Sequence, residues 1–154
     1  MLPDWAPIAW DALEREPALC DALTAFAEAL AFSVEHPTAA ELLLVTVIEG
    51  IGASMTGTRK AMENVRAALG TVLPLDQVAA TARAVYERRS QTAHRGALHG
   101  PEAALGSVDD SDFRIDPAEV FIQDELSALY GTARDVLIRA LTSLPAPGAA
   151  DIDG

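Results

Sequence analysis

TAAELLLVTVIEGI, residues 38–51, decides how the chain folds. Thr38 and Glu41 have the spacing of a capping box, in which hydroxyl and carboxylate satisfy backbone donors at the start of a helix. The segment that follows is almost wholly apolar through Ile51, so no single face can be left to water. It therefore predicts the central helix of a helical bundle, over 39–49. Its most apolar run, LLLVTVI at 42–48, is flanked by Glu41 and Glu49 and is shorter than the ~20 residues that span a bilayer, so no membrane partner is expected.

Helix signals continue on both sides. Upstream, Leu19, Leu23, Phe26 and Leu30 form an amphipathic stripe that begins near Pro17 and stops before His36-Pro37. Residues 1–16 read as a leading segment that lacks the cationic start of a signal peptide, with Trp5 and Trp10 as anchors packing it on the bundle. Downstream, Gly50, Gly52 and Gly57 divide 39–69 into two helices.

After Gly70 and Pro74, Asp76 predicts a cap for a helix whose inward row is Val78, Ala82, Val85 and Arg89. Arg88 is turned about 100° from that row, on the line of Thr81 and Ala84, and is expected in solvent. Gly96 stops this helix, and 95–116 is a loop. Asp116-Pro117-Ala-Glu119 restarts a helix whose seam is Leu126, Leu129, Ala133, Leu137, Ala140 and Leu144, and 145–154 is a disordered tail. The expected architecture is all-α, an antiparallel bundle of four to five helices over 17–144.

The 154 residues suit one domain, and the lone Cys20 closes no internal disulfide, which fits a reducing cytoplasm. A net charge of -12 opposes indiscriminate binding to nucleic acid or anionic lipid. Against that background, Arg83, Arg88, Arg89 and Arg95 gather around Glu87 alone. An inward arginine needs a carboxylate, and Glu49 on the apolar helix is the candidate. The pair can fix helix register, hold an arginine for a substrate phosphate, or do both.

Arg89-Ser90-Gln-Thr-Ala-His94 resembles the R-X4–6-H motif of HEPN domains, the higher eukaryotes and prokaryotes nucleotide-binding helical bundles. AVYERRSQTAHRG is similar to the LYxxRSxxxHG segment of their Apea-like branch, and ELLLVTVIEG to the branch's apolar second helix; the likeness covers roughly 38–144. The chain departs from the pattern where Arg95 follows His94 and where a second His-Gly, His99-Gly100, comes later.

The resemblance implies a HEPN-like fold and a metal-independent endoribonuclease of toxin or defence type, or a non-catalytic relative binding RNA, a nucleotide or a protein partner such as an antitoxin. It also implies a homodimer with its motifs at the interface. His94 suits a general base for the ribose 2′-OH, Arg89 the phosphate's developing charge, and Ser90 an orienting hydroxyl. Arg88, Arg95, His99 and Glu49 are the substrate-binding candidates around them. Five positions along a continuous helix turn Arg89 and His94 about 140° apart, so they converge only where the helix frays or a second copy contributes. No metal or cofactor is expected, because no Glu-x-x-His ligand pair and no GxxxxGK[ST] loop occurs.

Overall fold

The computed structural model describes residues 4–95 and 117–143. They form six helices and no strand: α1 (Ala6–Arg15), α2 (Pro17–Phe32), α3 (Pro37–Thr56), α4 (Ala61–Leu69), α5 (Leu75–Arg95) and α6 (Pro117–Ser143). The expected loop beyond Arg95, the cap at Asp116, Leu144 and the expected tail lie outside the described residues. Proline stands in the first turn of four of the helices, at Pro7, Pro17, Pro37 and Pro117. Its fixed φ and missing N–H cost nothing in a first turn, where that N–H would lack a helical partner.

The helix α3 is the axis of the bundle. Ala40, Leu44, Val45, Val47, Ile48 and Ile51 are buried around its circumference, and α2, α4, α5 and α6 all pack on it. Each of the leucine, valine and isoleucine side chains among them contributes about 1.5–3 kcal/mol by leaving water. The helix is longer than the run 42–48 suggests, reaching 20 residues with a mean hydropathy of 1.5 over its most apolar window. Length and composition alone would let it cross a bilayer, but half of that window is buried by the other helices. It also begins ahead of the expected cap: Pro37 is its first residue, so Thr38 lies within the first turn.

The α2 stripe is rotated from the expected one. Leu19, Ala22 and Ala29 are buried with Phe26 partly so, whereas Leu23 and Leu30 are 39% and 54% exposed. The buried face has turned by about 50° around the helix axis. Alanines facing α3 let the two backbones approach closely, which outweighs burial of the two leucines and makes α2 and α3 the most extensively packed pair.

Residues 6–15 are themselves helical, which adds a sixth helix to the expected four to five, and α1 packs on α2 and α6. Ala9 and Ala12 make that contact, with Leu13 beside them. The tryptophans are not the anchors: Trp5 is 48% and Trp10 65% exposed, and Trp10 donates its indole N–H to Glu14 at 2.9 Å. Small residues fill the inward row and leave both rings on the flanks. Asp76 is likewise not a cap, since Pro74 supplies the carbonyl for the Gln77 N–H at 2.9 Å and α5 starts at Leu75.

Neither Gly50 nor Gly52 breaks α3; the chain turns at Gly57, whose φ of 65° is left-handed. The corner is then fixed by buried Asn64, which accepts the Thr56 hydroxyl at 2.6 Å and donates to the Thr58 carbonyl at 3.3 Å. A Cβ at Gly52 would meet the Asn64 carbonyl oxygen at 1.9 Å, so α4 crosses α3 backbone to backbone there.

Gly52→Ala should therefore lower stability by about 3 kcal/mol or more through forced separation of α3 and α4. Gly50, with nothing within 4 Å of a built Cβ, should gain about 0.5–1 kcal/mol on conversion to alanine. Denaturant midpoints of the two variants test the contrast. Burial raises the Tyr130 phenol above its usual value, offset in part by the Ser33 hydroxyl. Its protonated form is favoured in the fold, so stability should fall as pH rises past about 10. A Tyr86→Phe protein, titrated by ultraviolet absorbance, isolates Tyr130 and should show ionisation above pH 10.

Candidate functional site

The inward row of α5 is Val78, Ala82 and Val85, all buried, and Arg89 continues it onto α3. Its Nε stands 3.1 Å from Oε2 of Glu49, with the side chains 31% and 23% exposed, so the expected pair is present. Three apolar contacts set the rotation of α5, and that rotation brings a guanidinium to the carboxylate that closes the apolar run 42–48. A half-buried charge pair of this kind fixes register because each partner would otherwise be desolvated alone.

Arg88 departs from its expected exposure. It is as enclosed as Arg89, at 32%, and bridges two helices. Its Nη1 lies 3.2 Å from Oε1 of Glu41 on α3, while its Nη2 donates to Glu125 on α6. The position still points along the row of Thr81 and Ala84, but a long side chain crosses the angle that a helical wheel assigns to solvent. Glu41, only 11% exposed, thus sits in the core margin rather than serving at the first-turn surface.

The result is an ionic cluster of Arg88 and Arg89 with Glu41, Glu49 and Glu125, joining α3, α5 and α6. Sequence reasoning missed Glu41 and Glu125. Glu41 was visible as a carboxylate bordering an apolar run that also ends on one. Glu125 left no local signal, because it lies 37 residues from Arg88.

Ser90 and Thr92 are half-buried beside the cluster, whereas Gln91 is exposed. The α5 backbone stays helical through His94 and Arg95, so it does not fray early enough to converge positions 89 and 94 within one chain. His99 lies outside the described residues. Among the described residues, no group of three or more His, Cys, Asp or Glu side chains could hold a metal ion.

Comparisons with protein-family models, curated proteins and solved structures find no match to this chain.

The cluster's two halves should respond differently to mutation. Arg88→Ala removes one partner of the largely buried Glu41 and should cost about 2 kcal/mol, while Glu125→Ala, at a 57% exposed carboxylate, should cost less than about 1 kcal/mol. A double-mutant cycle on Arg89 and Glu49, read by urea denaturation, should give a coupling of about 1 kcal/mol.

Proposed function

We propose that the chain is a HEPN-like module that acts on RNA in the cytoplasm as a homodimer, cleaving it without metal in a toxin or defence role. The observation that carries this reading is the Arg89–Glu49 pair. It holds the arginine of the Arg-Ser-x3-His motif in a set orientation and engages its Nε, while a guanidinium carries five N–H donors in all. The remaining donors suit a phosphate.

In this mechanism His94 takes the proton of a ribose 2′-OH, whose oxygen attacks the adjacent phosphorus. Arg89 stabilises the charge that builds on the phosphoryl oxygens, and Ser90 orients its neighbours. The bond from phosphorus to the 5′ oxygen breaks, that oxygen takes up a proton from solvent, and a 2′,3′-cyclic phosphate remains. Arg88, Arg95, His99 and Glu49 flank the substrate. Because α5 keeps positions 89 and 94 about 140° apart, the reading needs a second copy, placed across a two-fold axis, to complete each site.

A second reading, a non-catalytic HEPN-like module binding RNA, a nucleotide or a regulatory protein, is favoured by a specific observation. Arg88 and Arg89 are faced by three carboxylates, which cancel the cluster's positive charge in a chain of net charge -12. A phosphate would have to compete with them.

Incubation of the purified protein with mixed RNAs in EDTA separates the readings. Cleavage is expected, with His94→Ala lowering it about 10²-fold or more and His99→Ala affecting it only modestly. Arg89→Ala should also be inactive, and its melting temperature must be measured alongside, since Glu49 loses its partner. Full activity in a folded His94→Ala protein would remove the proposed base. No cleavage by the parent would leave the binding-module reading, and a monomer by light scattering would exclude the shared site.

A further inference from the structure

At the other end of α6, about 21 Å along the helix from Glu125, four helices leave a cavity of about 540 Å³. Its floor is apolar and enclosed, made by Leu19, Ile51 and Val136, which are 4%, 2% and 0% exposed. Met55 and Ala140 extend that wall. Around the mouth stand Glu16, Ser54, Thr71, Arg139 and Ser143. The volume lies in the range of about 300–1,000 Å³ typical of small-molecule sites, and an apolar floor below a few polar groups is their usual construction.

The polar groups define what fits. Ser54 and Thr71 donate their hydroxyl protons to the Ile51 and Ala68 carbonyls, each at 2.7 Å, so their oxygens face a ligand as acceptors. Glu16 is a third acceptor, and α3, α4 and α6 bring their carbonyl ends to the same region. These groups call for a cationic donor. Arg139 has the opposite need: no described carboxylate pairs with it, Glu16 included. A ligand that is only an anion or only a cation would satisfy one side of the mouth and oppose the other.

We propose that this cavity binds a small zwitterion with an aliphatic side chain, of the amino-acid class. The carboxylate meets Arg139, the ammonium bridges Glu16 and the Ser54 and Thr71 oxygens, and the side chain rests on Leu19, Ile51 and Val136. The site is separate from the Arg88–Arg89 cluster and does not depend on the reading of that cluster.

L-leucine is the probe, with methyl NMR of Ile51, Val136 and Met55 as the readout on the full chain. Saturable shifts at these methyls with a Kd below about 1 mM are expected. Two analogues split the head group: 4-methylpentanoate lacks the ammonium and isoamylamine lacks the carboxylate, and each should bind about tenfold more weakly. Arg139→Gln should bring leucine to the affinity of isoamylamine while leaving isoamylamine itself unchanged. Glu16→Gln should reduce leucine binding and strengthen that of 4-methylpentanoate. Both substitutions sit at exposed positions, so their effect on folding is small. Absence of binding, equal affinity for leucine and either analogue, or leucine binding unchanged in Arg139→Gln would each overturn the proposal.

Discussion

The structure depends on how α3 is enclosed. An apolar helix carrying carboxylates at both ends of its most apolar run has two needs: other helices must cover every side, and cations must reach Glu41 and Glu49. Helix α5 meets the second need with consecutive arginines. One follows the inward row to Glu49, and the other crosses to Glu41 and on to Glu125 of α6. The concentration of positive charge in an acidic chain therefore has a local cause in the core margin. The same two residues position the three longest helices relative to one another.

Much of this is legible in the sequence. The run 42–48 marks the central helix, and the spacing of Val78, Ala82, Val85 and Arg89 points the arginine inward to Glu49. What escaped the sequence depends on tertiary choice. Leucine outranks alanine in any hydrophobic stripe, yet α2 buries Ala22 and Ala29 because close backbone approach to α3 is worth more than covering Leu23 and Leu30. Glycine normally weakens a helix, yet Gly52 lies within α3 because α4 passes too near for a side chain. Wheel geometry alone points Arg88 to solvent, because it holds no information about a carboxylate arriving on a distant helix.

This electrostatic arrangement bears on any role in RNA chemistry. An arginine already held by glutamate is preorganised, which lowers the cost of orienting it toward a phosphate. The same glutamate weakens its field, so the arrangement trades attraction at long range for order at short range. For Arg88, with a carboxylate on either side, the balance falls toward structure.

The helix α6 packs against α1, α2, α3 and α4, and it is the last described segment to be made. Helices α2 to α5 pack chiefly on sequence neighbours and can assemble from local contacts, the kind that form quickly, whereas α1 packs more on α6 than on α2. Until α6 docks, however, the partners of Ala133, Val136, Leu137 and Leu141 face water. A nascent chain thus spends the interval before docking with an open apolar trough along its central helix, the kind of surface that chaperones hold and that otherwise draws chains into aggregates.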